Sequence, residues 1–167
     1  MNVYNAPNVQ SGDILLYRVA AGSTWLDKLI GWGQKIIHQA PTNAEYCHVA
    51  LVGPLSNWLY EAHWPKIRNV LIDWVAMTRR NTVEAYRVKD ITPEQIKKVM
   101  IYADKRVGEW YGLLTILTFG IFQFGPSAVC SQYVWECFTA ADIALCEFEN
   151  LESPDDLAAS KRLVRVT

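Results

Sequence analysis

Seven consecutive residues, Tyr46-Cys47-His48-Val49-Ala50-Leu51-Val52, constrain the fold most. The run is β-branched and apolar on both of its faces, so both must be covered, as in the middle of a sheet. Gly53-Pro54-Leu55-Ser56-Asn57 then turns the chain, and Trp58-Leu59-Tyr60-Glu61-Ala62 reads as the returning antiparallel strand. A chain with such a hairpin needs more strands beside it and helices over it.

Those neighbours are legible. Ser11-Gly12-Asp13 is a turn signal before the apolar run Ile14-Leu15-Leu16-Tyr17-Arg18. Residues 67–72 form a further short strand, 82–88 alternate as a strand with one wet face, and 163–166 make a last strand. Helical spacing recurs at Trp25, Leu26, Leu29, Ile30, Gly33, Ile36 and Ile37 behind an N-cap at Ser23. Thr92-Pro93-Glu94-Gln95 carries the marks of a helix start, and that helix runs to about 106 and stops at Gly108. Asp73 caps a short helix over 74–79, residues 110–119 are helical, and Ser153-Pro154-Asp155-Asp156-Leu157 opens a final short helix. With 167 residues, 51% of them apolar, the chain suits one domain spanning 1–167 with a substantial core. The expected class is α+β: a mostly antiparallel sheet or barrel of about five or six strands packed against helices.

One helix carries a candidate nucleophile at its tip. Gly125, Pro126 and Ser127 break what precedes, and apolar residues recur at Val129, Tyr133, Val134, Cys137, Phe138, Ala141 and Ala144. Cys130 falls in the first turn, where unpaired N–H groups and the helix dipole favour an anion. A thiol there loses its proton more easily, and the thiolate is the attacking form. The plainer reading is a small apolar residue packed at a helix start. A matching histidine decides between them.

His48 is the only titratable group on its strand face, beside small Ala50. Cys47 points to the other face and reads as core. A two-residue loop at Pro54 and Leu55 would set Glu61 opposite His48, and a four-residue loop over 54–57 would set His63 there. Proline at the second turn position disfavours the mirror-image turns of tight hairpins, so the register stays open. Both candidates share the face of His48. A carboxylate would hold one tautomer and support an imidazolium, which makes Glu61 the preferred orienter.

Five blocks now resemble a known family. Gly12-Asp13-Ile14-Leu15, His48-Val49-Ala50-Leu51-Val52 and Tyr60-Glu61-Ala62 are similar to conserved blocks of NlpC-type papain-like cysteine peptidases. In the parent family the Cys-Ser helix comes first. Here Cys130-Ser131 follows the other blocks, the order of the circularly permuted branch that includes YiiX-like and YebB-like hydrolases. Gly108-Glu109-Trp110-Tyr111 and Ser153-Pro154-Asp155-Asp156-Leu157 resemble two further segments of that branch. The likeness covers about 12–160 and implies a permuted papain-like fold with a catalytic Cys130–His48–Glu61 triad. Ala50 stands where the family usually has glycine, and Glu61 where the parent family often has histidine. The oxyanion donors would be the Cys130 N–H and one neighbour. Tyr111, Ser131 and Tyr46 are the substrate-binding candidates, with Tyr111 either lining the cleft beside the thiol or packed in the core.

The resulting expectation is a cysteine hydrolase that cuts an amide bond. The parent family points to cell-wall peptides. One alternative is hydrolysis or transfer of a fatty acyl group, with the apolar run 113–124 walling an acyl site. Another is a non-catalytic assembly module that keeps the fold, for instance in a phage particle. Sixteen Lys and Arg against seventeen Asp and Glu leave a net charge of −1 with no basic stripe, which argues against nucleic acid as a partner. The four cysteines lack C-x-x-C spacing and the histidines never fall at zinc-finger distance from them, so no metal or other cofactor is expected. Cys130 and Cys137 on one helix stand about 10 Å apart by rise, too far for a disulfide, and a reduced compartment fits. The first residues lack the basic and apolar regions of a signal peptide. The uncharged run 110–129 is interrupted by Gly112, Gly120, Gln123, Gly125 and Pro126, which argues against a membrane span. A cytoplasmic or virion-associated protein is expected.

Overall fold

The computed structural model describes residues 9–18, 45–72, 82–112, 127–146 and 153–166. The helices expected over 25–37 and 74–79, and the apolar run 113–126, lie outside the described residues. What is described is α+β. Eight strands form one sheet: β1 (Ile14–Arg18), β2 (Tyr46–Val52), β3 (Trp58–His63), β4 (Lys66–Leu71), β5 (Val83–Val88), β6 (Trp110–Tyr111), β7 (Ser127–Ala128) and β8 (Leu163–Arg165). Their order across the sheet is β7-β6-β4-β3-β2-β1-β5-β8. Helices α1 (Pro93–Lys105), α2 (Cys130–Thr139) and α3 (Pro154–Ala158) complete the described elements.

β2 is the strand the sequence placed at the centre, and every one of its residues is buried. It lies between β1 and β3, both antiparallel to it. The sheet is open rather than a barrel, since edge strands β7 and β8 are not partners. It has eight described strands where five or six were expected, and β6–β7 is a parallel pair. Two-residue strands carry too few positions for any alternation to be read.

Those short strands also correct the helix expected from residue 110. Trp110 pairs with Lys66 of β4 and, on its other side, with Ser127. Gly112 N–H donates to the Ala128 carbonyl at 3.1 Å. A Cβ on Gly112 would stand 3.2 Å from the Ala128 carbonyl carbon, so glycine permits this close approach of backbones.

The capping signals fold as their chemistry dictates. Thr92 and Gln95 form a reciprocal capping box with Pro93 in the first turn of α1, and Ser153 and Asp156 do the same for α3. Arg106 caps α1, and Gly108 follows at φ 95°, where a side chain would be strained.

α2 packs on β2 and β3. Its Tyr133, Val134, Cys137 and Phe138 join a core cluster with Val49, Leu51, Tyr60 and Ala62. The buried stripe ends earlier than expected: the helix stops at Thr139, Asp142 takes a left-handed φ of 61°, and Ala144 is exposed. Ile143 and Leu145 turn inward instead. Polar contacts fix the helix as well. The Tyr133 hydroxyl donates to the Ala103 carbonyl at 2.9 Å, and Arg106 donates to both Glu109 and Glu136, joining α1, the approach to β6 and α2. A second cluster, including Leu15, Tyr17, Cys47, Ala50, Val52 and Leu59, occupies the opposite face of the sheet.

Buried acids in the sheet are paired. Asp13 accepts from Arg87 at 2.8 and 2.9 Å. Glu84 accepts from Arg18 and Tyr46, each at 2.7 Å, and from Tyr86 at 3.1 Å. Burial pushes the Glu84 carboxyl up, but those donors outweigh it and leave the group below the ordinary carboxylate range. A lowered folded-state value means stability that is present above the unfolded value, about 4.3, and lost as pH falls through the folded one. The urea midpoint should therefore fall on acidification, and Glu84→Gln should flatten that fall; parallel slopes in the two proteins would refute the assignment.

Candidate active site

The hairpin decides which group meets His48. Leu51 pairs with Tyr60 and Val52 with Leu59, and Gly53 N–H donates to the Trp58 carbonyl at 2.7 Å. That is the register of the four-residue loop over 54–57, which sets His63 across from His48 and Glu61 across from Ala50. The hydrogen bond nevertheless runs on the diagonal: His48 Nε2 and Glu61 Oε2 are 2.9 Å apart. The small Ala50 side chain leaves the room for it. His63 places its ring edge-on to His48 at 6.0 Å between centroids, and its Nδ1 is 2.9 Å from the Trp64 carbonyl oxygen, to which it can donate.

Glu61 has a second partner that the sequence reading missed. Arg68, directly across β3–β4, donates through Nε at 3.0 Å and Nη2 at 2.7 Å, both to Oε1. One carboxylate oxygen is thus taken by a cation and the other by an imidazole. Glu61 itself is fully buried and His48 is 7% exposed. The missed signal was the hairpin symmetry of His63 and Lys66, which pairs Glu61 with Arg68 once the turn is placed at 64–65.

β2 departs from simple alternation at its start. Its register with β1 slips between Tyr17 and Arg18, so Cys47 is an extra residue. Cys47 therefore joins the cluster of Leu15, Tyr17 and Ala50, on the face His48 shares, and not the opposite face expected from alternation. It remains core, with its thiol 3.5 Å from the Tyr17 carbonyl. The Tyr17 ring lies against His48 at 5.3 Å.

Cys130 opens α2 directly after β7. Val129 at the N-cap provides no side-chain hydrogen bond to the first turn. The strand pairings put this helix start at the end of the sheet where β2 begins, β3 finishes and β4 starts. Cys130 is 2% exposed and belongs to the cluster on the helix-covered face, whereas His48 and Glu61 project from the face of Ala50 and Leu59. The thiol and the imidazole thus lie toward the same end of the sheet but on opposite faces of it.

The remaining candidates are accounted for. Tyr111 and Ser131 are buried at that same end, and Tyr111 N–H donates to the Pro65 carbonyl at 2.9 Å. Tyr46 gives its hydroxyl to Glu84, under the Arg18 guanidinium, and burial raises its pKa above the ordinary value. Among the described residues no group of three or more His, Cys, Asp or Glu could hold a metal ion, and no helix is long and apolar enough to cross a membrane.

Removing one member of a buried ion pair leaves the other charge without its partner. Arg68→Ala, which takes the cation from the fully buried Glu61 carboxylate, should lower the unfolding free energy by roughly 3 kcal/mol. Lys98→Ala, which breaks an exposed pair with Asp142, should change it by no more than about 0.5 kcal/mol. Urea titrations of the two variants check the contrast, and equal effects would contradict it.

No protein-family model matches the sequence, and no curated protein matches it. The fold is similar to the crystal structure of the metalloprotein yiiX from Escherichia coli O157:H7, with a TM-score of 0.67, 16% identity, and coverage of 95% of this chain and 96% of that one.

Proposed function

We propose that the chain is a cysteine hydrolase of the permuted papain-like type, acting on amide bonds with Cys130 as nucleophile, His48 as acid and base, and Glu61 as orienter. The observation that carries this reading is the His48 Nε2–Glu61 Oε2 hydrogen bond of 2.9 Å at the end of the sheet where α2 presents Cys130. Likeness to a yiiX structure over nearly the whole chain supports the same branch.

The chemistry follows from these groups. Glu61 holds Nε2 of the imidazole, and the proposed mechanism assigns Nδ1 to the thiol. His48 takes the proton of Cys130, and the thiolate attacks the amide carbonyl to give a tetrahedral oxyanion. The Cys130 N–H and one neighbouring N–H would receive the developing charge. His48 then protonates the departing amine, leaving a thioester. Water attacks that thioester while His48 accepts its proton, and the acid leaves as the thiol is restored. The mechanism requires the sulfur and the ring to meet around the end of the sheet. Tyr111 and Ser131, buried there, are the substrate-contact candidates.

The similar structure is named a metalloprotein, but Glu61 does not suit a cation. Both Glu61 oxygens are occupied, and one by a guanidinium at 2.7 Å, which opposes a divalent ion at the same carboxylate. No step above passes through a metal.

Cell-wall peptides are the proposed substrate. Purified muropeptides and N-acyl lipids, each incubated with the protein, discriminate the bond: release of an amine from muropeptides supports the assignment, and consumption of the lipids alone replaces it. Cys130→Ala should abolish turnover. Iodoacetamide labelling of Cys130, followed by mass spectrometry, should proceed below neutral pH in the native protein and shift to the ordinary thiol range, about pH 8.5, in His48→Ala. Identical profiles would mean that the imidazole does not serve the thiol.

A further inference from the structure

Arg68 belongs to none of the roles assigned so far, yet it makes the closest contact to Glu61. Its Nε and Nη2 both converge on Oε1, at 3.0 and 2.7 Å, while Oε2 is left to His48 Nε2 at 2.9 Å. The division between the two oxygens follows from backbone position. Arg68 stands directly across β4 from Glu61, and His48 lies diagonally across β2. A fork anchored on one side can grip one oxygen with two donors and so fix the carboxylate plane.

From this geometry we infer that Arg68 is a positioning residue of the proposed triad: it holds Glu61 as a carboxylate and turns its second oxygen onto His48. The inference rests on the catalytic reading for its purpose, but its physical content concerns β2, β3 and β4 alone.

Two effects compete at Glu61. The side chain is fully buried, which disfavours its charged form. A guanidinium with two hydrogen bonds favours it, and Arg68 is partly exposed, so its own charge remains hydrated. On the face of the pair, the titratable groups among the described residues include Tyr17 on β1, Cys47 and His48 on β2 and His63 on β3. Of these and Arg68, only Arg68 is a permanent cation. Without it, a buried acid beside a neutral imidazole would take up a proton nearer neutrality. It would then no longer stabilise the imidazolium on which a thiolate depends.

The test has two arms. Selective carbon-13 labelling of glutamate side chains, with the Glu61 signal assigned by its loss in Glu61→Gln, reads the carboxyl titration in the intact protein. In the native chain Glu61 should titrate below the ordinary glutamate value, about 4.3. In Arg68→Gln it should rise by at least about one unit, a tenfold change in proton affinity, and Arg68→Lys should recover part of the difference by restoring charge without the fork. A native Glu61 that titrates at or above the ordinary value would overturn the inference, and this reading does not depend on any Arg68 variant folding. So would an unchanged titration in Arg68→Gln.

The second arm is the pH profile of Cys130 alkylation. Arg68→Gln should slow labelling on the order of tenfold in the weakly acid range and leave it unchanged at alkaline pH, where the thiol ionises unaided. A uniform loss across pH would indicate a structural role only and would overturn the positioning role. If instead the carboxyl arm behaves as expected while His48→Ala leaves the alkylation profile untouched, the proposed catalysis fails and the Arg68–Glu61 coupling stands.

Discussion

A carboxylate buried away from the protein surface governs this structure. Glu61 sits at the middle of β3, fully buried, and an isolated charge there would be severely penalised. It is tolerated because β4 brings Arg68 to one oxygen and β2 brings His48 to the other. Each donor depends on strand register. A one-residue slip of either neighbour would carry its side chain to the opposite face and leave the charge exposed to hydrocarbon. The site and the pairing of β2, β3 and β4 are therefore one constraint.

The same logic recurs elsewhere in the sheet. Asp13 is held by Arg87, and Glu84 by Arg18, Tyr46 and Tyr86. These acids join β1 to β5 and the start of β2, so polar pairs supplement apolar burial in specifying which strands are neighbours. On the helix side the specification is mixed. α2 is held by Tyr133, Val134, Cys137 and Phe138 against the sheet, and by the Tyr133 hydroxyl and Arg106 against α1. Fixing the helix laterally and along its axis also fixes where its first residue, Cys130, emerges. The likeness to yiiX is one of fold, at 16% identity over 95% of this chain.

Much of the local structure was legible because its causes are local. β1 and β2 begin and end where the apolar runs do, and β3 extends only one residue further. α1 and α3 start at their capping boxes, where a hydroxyl and an amide or acid three residues on satisfy each other's backbone. The start of α2 was readable from Gly125, Pro126 and the apolar spacing that follows. Its end was not, because the turn at Asp142 uses a left-handed conformation that no periodicity reports. Cys47 illustrates the same limit: alternation assigns it the face opposite His48, and a bulge against β1 reverses that.

By itself the sequence determined the hairpin around β2, the starts of α1, α2 and α3, and which thiol, imidazole and acid were the candidates for chemistry. Hydrophobic period, turn residues and caps act within a few positions of one another, so they can be read from order alone. Tertiary structure decided that Glu61 rather than His63 bonds His48, that Arg68 shares that acid, and that Trp110 and Tyr111 pair as an edge strand with Ser127 and Ala128. Each of those outcomes depends on the register between separate segments, and register is set by the summed packing and charge pairing of the whole sheet.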